Sequence, residues 1–350
     1  MLNNPRSYEE ACRTFRWRIP DPYNLAFDLC DRHTMGGADP HRTALIVEDA
    51  AGRVERHTFH LLRLLSNRMA NLLSSLGVGP GDRVALALPP GLEAAVGLLA
   101  VPRMGAVCVP NNHTRMGYLF MPLSPDLGAE PLAWRLSDSG ARVALVDAAL
   151  LPALDQVRPL LPDLRAVLAP AEAAGPDVAD LWPALGLASD SFAPRVGAPD
   201  DPAFLFYPPD GAGRPPEVGR GCLRGYAPGI VHAHRAMAGG LPAVELAMGC
   251  FPQFGDVAWT PACWMNADAL FRLVLPAWHH GVPVVAAPAA GSDPERALGL
   301  LGRHGVRALW VPPAWVAPLA EAATGRAFPR PRARASGPGP LSPDLHETVL

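Results

Sequence analysis

The sequence predicts an α/β protein with mostly parallel sheets that are covered by helices on both faces. Two observations carry this prediction: short apolar segments alternate with amphipathic helical segments, and the apolar segments are nearly continuous in hydrophobic residues. Strands that are buried on both faces need such continuous runs, whereas a strand with one wet face alternates with polar residues. A length of 350 residues is enough for one large domain or two ordinary ones.

The first long helix is predicted from residue 59 onwards. Thr58 can cap it, its apolar residues recur at helical spacing, and Gly77 can end it. Arg83–Leu88 then reads as a strand that stops before two prolines. Further helices are predicted at Gly91–Met104 and Glu130–Ser139, which places helices between successive strands.

The other predicted strands are short hydrophobic runs bounded by turn-forming residues: Ala106–Val109, Arg142–Val146, Leu164–Leu168, Ala203–Tyr207, Val257–Trp259, Val282–Ala287 and Ala308–Val311. A helix is expected to begin near His232. The stretch Ala169–Pro202 is rich in Ala, Pro, Asp and Gly, which is typical of a junction between subdomains. The predicted units are therefore two stacked α/β subdomains, 1–200 and 201–350.

Charge and composition exclude several kinds of chemistry. The formal net charge is −3, so the sequence offers no basic face for nucleic acid. All 30 basic residues are arginine. Lysine phosphate clamps, lysine Schiff bases and lysine general bases are therefore excluded from this chain.

The six cysteines are scattered along the chain without a CxxC pair, which argues against a disulfide framework and against a zinc site. No metal site is predicted. The sequence has neither a signal pattern nor an apolar run long enough to span a bilayer, so the expected location is the cytosol. The oligomeric state is not predicted.

The last residues predict the start of a helix. Ser342-Pro343-Asp344 combines an N-cap residue with a first-turn proline and a first-turn acid. The sequence stops at Leu350, barely two turns later, and so short a helix seldom holds without packing. We therefore expect the chain to be a fragment of a longer protein.

A glycine loop follows the predicted strand Ala203–Tyr207. The segment 201–216 reads DPAFLFYPPDGAGRPP, and its glycines are Gly211 and Gly213. Such a loop after a strand suits phosphate binding, because glycines let backbone N–H groups approach the oxygens. The signal is weak by itself, since GAGRPP lacks the third glycine of a dinucleotide fingerprint and the loop lacks the lysine of a Walker A motif.

The order of several longer segments is more informative than the loop alone. Together they closely resemble the AMP-forming acyl-CoA synthetases of the acyl-adenylate-forming superfamily, of the acetyl- or medium-chain type. The segments are SNRMANLLSSLGVGPGDRVALALPP (66–90), EAAVGLLAVPRMGAVCVP (93–110), LAWRLSDSGARVALVD (132–147), DDPAFLFY (200–207), GIVHAHRAM (229–237) and HHGVPVVA (279–286).

The resemblance implies a large domain of stacked α/β subdomains, truncated at its C-terminus, without the small C-terminal domain. It implies that a small carboxylic acid is joined to ATP as an acyl-adenylate and then transferred to coenzyme A, with Mg²⁺ bound to the ATP. Gly211, Ala212, Gly213, Arg214 and Pro215 fall on the family's phosphate loop, and Gly213 and Pro215 match it cleanly. The expected partners are small molecules, with no nucleic acid and no membrane span.

This chain departs from the family pattern in that loop. The half of the loop that is rich in hydroxyl groups in the family is occupied here by Pro208, Pro209, Asp210, Gly211 and Ala212, and Pro216 stands where the family has a lysine. Losing two charge-assisted hydrogen bonds at roughly 1.5–3 kcal/mol each would slow the reaction by orders of magnitude. Residues 111–122 and 217–228 also read as insertions relative to the family.

The resemblance also implies an acyl pocket. Trp259 and Trp264 lie in VAWTPACW, a stretch that is similar to the family's substrate pocket, and Cys263 takes the place of an acid there. Ser336 and Gly337 resemble the beginning of the family's Ser-Gly-Gly-Glu turn beside the acyl and adenine sites. On general grounds, buried tryptophans are more often core residues than ligand contacts.

Three function classes follow. The first is an acid–CoA ligase that is impaired or inactive in this chain. The second is a non-catalytic pseudoenzyme or gene remnant that at most binds nucleotide or an acyl group. The third, a Rossmann-type oxidoreductase, is disfavoured by the missing glycine. His232 and His234 have the spacing of metal ligands on a strand, but the favoured reading gives them a structural role at a helix start.

Overall fold

The protein is described by a computed structural model. The structure describes residues 7–37, 39, 41–111, 130–170, 178–207, 217–219, 222–224, 228–324 and 331–337. The glycine loop (residues 208–216), most of the predicted insertion 111–122, and the predicted C-terminal helix start at 342–344 lie outside these residues.

Helices and strands alternate through most of the described chain. The helices are α1 Tyr8–Thr14, α2 Leu25–Leu29, α3 Phe59–Ser75, α4 Leu92–Arg103, α5 Glu130–Ser139, α6 Leu151–Val157, α7 Leu181–Leu187, α8 Ala236–Ala247, α9 Ala267–Ala269, α10 Leu275–His279, α11 Pro294–Arg303 and α12 Pro313–Ala323. A π-helical turn, Leu270–Val274, joins α9 to α10. Short 3₁₀ turns lie at Asp31–Thr34, Ala148–Leu150, Arg158–Leu160 and Ala290–Ser292.

The strands form two large sheets and one hairpin. They are β1 Thr43–Glu48, β2 Val54–Thr58, β3 Arg83–Ala87, β4 Val107–Pro110, β5 Val143–Val146, β6 Ala166–Ala169, β7 Val178–Asp180, β8 Pro202–Phe206, β9 Glu217–Gly219, β10 Cys222–Arg224, β11 Ile230–Ala233, β12 Ala258–Trp259, β13 Val284–Ala286, β14 Ala308–Val311 and β15 Ala333–Ser336. Part of the predicted insertion 217–228 is thus the antiparallel pair β9–β10.

The seven-stranded sheet has the order β11-β8-β4-β3-β5-β6-β7. Every neighbouring pair in it is parallel except β8 and β11, which are antiparallel. The six-stranded sheet has the order β15-β14-β12-β13-β1-β2, and its antiparallel pair is β1 and β2. The prediction of mostly parallel sheets is confirmed.

The hydrophobic core arranges the molecule in five layers. Between the two sheets lie α3, α4, α8 and α10, whose buried side chains form one cluster with residues of both sheets. Helices α5 and α6 cover the other face of the seven-stranded sheet, and α11 and α12 cover the other face of the six-stranded sheet. Strand β3 shows the reason: Val84 and Leu86 point into the central cluster, and Ala85 points into the outer one.

Helix α3 forms as its sequence predicts. The Thr58 side chain accepts a hydrogen bond from the Leu61 N–H at 3.1 Å, and the chain leaves the helix through Gly77 at φ 80°. Helix α4 is different, because it is buried on nearly all sides between the sheets. A helix in such a place must be apolar all round, which explains the sequence EAAVGLLAV.

The charge at the end of α4 is paired. Arg103, which is fully buried, donates two hydrogen bonds of 2.7 Å to the carboxylate of Asp31. Both oxygens of the carboxylate are used, which is the geometry that makes such a buried pair tolerable. The pair joins the N-terminal segment to the central helix layer.

A second polar network also holds the N-terminal segment. Asp28 accepts hydrogen bonds from the Tyr23 hydroxyl at 2.7 Å and from Arg32 at 2.6 Å, and contacts His279 Nδ1 at 2.8 Å. Hydrogen bonds from His279 and the nearby Arg32 charge hold the pKa of Asp28 below its usual value, although burial works in the opposite direction. The carboxylate therefore stays ionised and links α2 to α10.

The two sheets do not divide the chain at residue 200. Strands β1 and β2, from residues 43–58, lie in the sheet that otherwise comes from residues 258–336. Strands β8 and β11, from residues 202–233, complete the sheet that contains β3–β7. The division into 1–200 and 201–350 stays a prediction about folding units, and it is not the division between the sheets.

Candidate site at the carboxyl end of β8

The predicted phosphate loop leaves the seven-stranded sheet at the end of β8. This strand lies between the parallel β4 and the antiparallel β11. Ligands of open α/β sheets bind beyond the carboxyl ends of the parallel strands, so the position suits a binding site. Gly211, Ala212, Gly213, Arg214 and Pro215 lie outside the described residues, and the described flanks of the loop in this sheet are β8 with Tyr207 before it and β11 after it.

Tyr207 is the last described residue before the glycine loop. Its hydroxyl donates a hydrogen bond of 2.7 Å to Asp138 on α5. Burial and the Asp138 carboxylate raise the pKa of Tyr207 above its usual value, so the phenol is neutral at physiological pH. The hydrogen bond ties the start of the loop to the outer helix layer.

An aromatic cluster lies on the opposite face of β8, between the two sheets. It consists of Phe204, Phe206, His232 and Phe271. Ring centroids are 5.5 Å apart for Phe206 and His232, 5.3 Å for His232 and Phe271, and 5.7 Å for Phe206 and Phe271. Phe271 comes from the π-helical turn that follows the other sheet's strand β12, so the cluster joins the seven-stranded sheet to the helical layer between the sheets.

The prediction of a helix start at His232 is wrong. Residues Ile230–Ala233 form β11, and α8 begins at Ala236. The antiparallel register pairs His232 with Phe204, which turns the imidazole toward the aromatic cluster. Cross-strand pairing with β8, which local sequence does not reveal, decides the conformation here.

His234 has the structural role that the sequence favoured, although not in a helix. Its Nδ1 accepts a hydrogen bond of 3.1 Å from the Leu25 N–H, and its ring is buried. Burial lowers the pKa of His234 to about 4, so it is neutral at pH 7. Within the described ranges, no three His, Cys, Asp or Glu side chains come together in a way that could hold a metal ion.

Residues 260–265, which follow β12, are all buried. Trp264 is 0% exposed and packs edge-to-face on Trp278, with ring centroids 5.8 Å apart. The Trp264 Nε1 has no hydrogen-bond partner among the described residues. Cys263 beside it is buried, and burial raises the pKa of its thiol to about 11, so it carries no charge in place of the family's acid.

The two predicted pocket tryptophans lie in different layers. Trp264 belongs to the central cluster between the sheets, whereas Trp259 belongs to the cluster under α11 and α12. The reason is the alternation of side chains along a strand, because Trp259 is paired with Leu309 on the outer face of the six-stranded sheet. The structure does not bring the two indoles together.

Ser336 and Gly337 lie at the end of β15, next to the end of β14. The Gly337 N–H donates to the Val311 carbonyl at 3.2 Å, and a Cβ at Gly337 would lie 3.2 Å from both Trp310 Cζ2 and Pro313 Cδ. A larger residue would therefore press on Trp310. The Ser336 hydroxyl is buried and has no partner among the described residues.

The comparisons with known proteins agree with this architecture. The model of the AMP-binding enzyme family matches residues 35–208. Through this domain, the chain belongs to the AMP-binding enzyme family. The match begins before β1 and runs through β8 to the first residue of the glycine loop, where the sequence departs from the family pattern.

Curated relatives of this family member are acid–CoA ligases by name. The chain is 30% identical over 193 residues to a long-chain-fatty-acid–CoA ligase of Mycobacterium tuberculosis, covering 52% of this chain and 30% of the relative. It is 31% identical over 221 residues to an acetyl-coenzyme A synthetase of Sodalis glossinidius, covering 58% and 32%. The chain thus spans about a third of the relatives it matches.

Solved structures show the same fold. An acyl-CoA synthetase of Brucella canis superposes with a TM-score of 0.77 at 22% identity, over 97% of this chain and 58% of that one. The N-terminal domain of a Mycobacterium tuberculosis enzyme superposes with a TM-score of 0.73 at 23% identity, over 93% and 72%. Among the described residues, no helix combines the length and apolar character that a membrane crossing requires.

Sequence reasoning missed several residues of this site. Phe206 and Phe271 read as ordinary core residues, and Trp310 lies in a short apolar strand. Nothing in the spacing predicts that Phe271, 65 positions after Phe206, packs on it. Only the order of family segments could have placed β8 and the stretch after β12 at one site.

Proposed function

We propose that this chain is the nucleotide- and acid-binding part of an acid–CoA ligase, and that by itself it forms acyl-adenylate poorly. The observation that carries the proposal is the family domain that runs through β8 and ends where the glycine loop begins. Curated relatives of the domain are named for activation of acetate or of long-chain fatty acids, so their names do not select the length of the acid.

The proposed chemistry begins when a carboxylate attacks the α-phosphorus of ATP, giving acyl-adenylate and pyrophosphate. Backbone N–H groups of Gly211, Ala212 and Gly213 would donate to the phosphates, and Arg214 would place a positive charge in the loop, two positions before the site of the family's lysine. Mg²⁺ and coenzyme A belong to the reaction of such ligases, as charge neutraliser and acyl acceptor. We also propose a cytosolic location, in keeping with the scattered cysteines.

The loop's other residues explain why activity should be low. Pro208, Pro209 and Pro216 have no N–H to donate, and Asp210 puts a negative charge near the polyphosphate. Two missing charge-assisted hydrogen bonds correspond to roughly 3–6 kcal/mol of transition-state stabilisation, or about 10²–10⁴ in rate.

Acid-dependent exchange of pyrophosphate into ATP tests the proposal. We expect negligible exchange with acetate, propionate or benzoate for the natural sequence. The double variant Asp210→Ser, Pro216→Lys should raise exchange by about 10–100-fold, because it restores a hydroxyl and the missing cation. Ready exchange by the unaltered chain would contradict the damaged-loop hypothesis.

The second candidate is a non-catalytic binding protein, and the same loop composition favours it. A thermal shift with ATP or AMP but no turnover, even in the double variant, would support it. Absence of any shift with ATP, AMP or acids would instead indicate a gene remnant without ligand binding. These outcomes separate the two candidates, because only the ligase regains exchange on repair of its loop.

A further inference from the structure

His232 is the one polar side chain of the aromatic cluster. It lies on β11, at the edge of the seven-stranded sheet, with its ring facing Phe206 edge-on at 5.5 Å and Phe271 at 5.3 Å with a 39° tilt. The two phenylalanines come from different layers, Phe206 from strand β8 and Phe271 from the π-helical turn after β12. The imidazole is thus held at the edge of the seven-stranded sheet, opposite the middle of β8.

The hydrogen-bonding capacity of this imidazole is not used by the described residues. Neither ring nitrogen of His232 bonds to any residue that the structure describes, whereas His234 accepts from Leu25. Partial burial lowers the pKa of His232, and no neighbouring charge contributes to the shift. The ring is therefore neutral at pH 7, with one nitrogen able to donate and the other able to accept.

The aromatic cluster around His232 combines the kinds of side chain that line small-molecule binding sites. Ligand sites combine apolar and aromatic walls with a few polar groups that fix orientation. His232 and Phe271 are both half-buried, so the rings still present area to a ligand. The flat ring of a ligand can pack on such a side chain edge-to-face or offset, as aromatic side chains do at centroid distances of about 4.5–7 Å.

We propose that His232 contacts the substrate: its imidazole hydrogen-bonds to a polar substituent of a flat, aromatic carboxylic acid whose ring packs on the exposed part of Phe271. This inference rests on the proposed function, because it assigns the acid that the site takes. The site would prefer an aromatic acid with a ring hydroxyl or amino group over the unsubstituted acid, since the unsubstituted acid leaves the imidazole unpaired.

Binding of substituted and unsubstituted benzoates, measured by calorimetry with AMP present, tests the proposal. For the natural sequence, we expect at least one of 2-, 3- and 4-hydroxybenzoate to bind about tenfold or more tightly than benzoate. In His232→Leu the ratio should fall to about one, because the ring contacts remain but the hydrogen bond is lost. His232→Gln, which keeps hydrogen-bonding groups, should retain part of the preference.

His60→Gln is the matched control, since His60 is an exposed histidine on α3. It should leave the ratio unchanged. As a second readout, the tighter hydroxybenzoate should shift the NMR ring signals of His232 but not those of His60 in the unaltered protein. This measurement does not depend on whether His232→Leu folds.

The outcomes separate this inference from the proposed function. If neither AMP nor any acid binds, the proposed function fails. If AMP and benzoates bind but the ratio is the same in His232→Leu, or the His232 signals do not move, this inference is overturned and the proposed function stands. Binding of AMP without any of the acids also overturns the inference.

Discussion

His232 and His234 are two residues apart in the chain and have opposite roles. His234 is buried, and its Nδ1 accepts a hydrogen bond of 3.1 Å from the backbone N–H of Leu25. His232 lies half-buried among phenylalanine rings, with nitrogens that no described residue uses. The difference arises because β11 ends at Ala233, so His234 has left the strand and contacts the N-terminal segment instead of the phenylalanines.

The buried imidazole of His234 makes stability depend on pH. Burial lowers its pKa to about 4 in the folded state, whereas an unfolded histidine titrates near 6.5. Protonation therefore favours the unfolded chain: the contribution is complete above about pH 6.5 and is lost as the pH falls toward 4. We expect the unfolding free energy to drop by about 2 kcal/mol from this group between pH 7 and 4.5.

His234→Asn tests this expectation, because an asparagine Oδ1 can still accept from the Leu25 N–H but does not titrate in this range. Urea unfolding at several pH values should show a flatter dependence for the variant. His60→Asn, on the exposed face of α3, should keep the dependence of the unaltered protein. An equal slope in His234→Asn would contradict the assignment.

For the helices, the N-cap residues in the sequence indicate correctly where a helix begins. Thr58 caps α3, and Asp293 caps α11 by accepting from the backbone N–H groups of Glu295 and Arg296. Asp293-Pro294-Glu295 is a helix start that sequence reasoning could have found by the same rule. Each cap satisfies N–H groups that the helix itself leaves unpaired, so its effect is local.

Two glycines, one with helical backbone and one with a positive φ, test how well backbone conformation predicts the effect of an alanine substitution on stability. Gly239 lies inside α8 with no atom near an added Cβ, so Gly239→Ala should stabilise the protein by about 0.5–1 kcal/mol. Gly305 follows α11 at φ +60°, also with free space, so Gly305→Ala should destabilise it by about 1–2 kcal/mol. Chemical denaturation of both variants checks the signs; the same sign for both would contradict the backbone argument.

For the molecule as a whole, the two sheets are interleaved along the chain. Residues 43–58 contribute β1 and β2 to the six-stranded sheet, and residues 202–233 contribute β8 and β11 to the seven-stranded one. The helices between the sheets form one continuous hydrophobic cluster with both. Neither half of the chain therefore contains a complete sheet together with its covering helices.

This interleaving predicts a single cooperative unfolding transition. Far-ultraviolet circular dichroism and tryptophan fluorescence should give coincident urea curves, because neither sheet can lose its partner segments without exposing the central cluster. Residues 1–200 and 201–350 expressed separately should fail to fold, and should recover native spectra only when mixed, if at all. Two separate transitions, or a folded isolated half, would instead support the predicted units 1–200 and 201–350.

Much of the architecture could be predicted from the sequence, because it depends on local patterns. Arg83–Ala87, Glu130–Ser139 and Ala308–Val311 form the predicted elements within a residue, since continuous apolar runs and caps decide them. The edge strand β11 could not be predicted in this way, because its conformation depends on pairing with β8. For the same reason, no pattern placed Phe271 against Phe206.

The sequence by itself determined the α/β class, the parallel strands, the family to which the segments point and the departures in the glycine loop, all of which follow from residue order and local chemistry. Only the tertiary structure decided which strands share a sheet, that Trp259 and Trp264 lie in different layers, and that His232 faces two phenylalanines. These contacts join residues far apart in the chain, and their free energy comes from burial of surfaces that local sequence does not bring together.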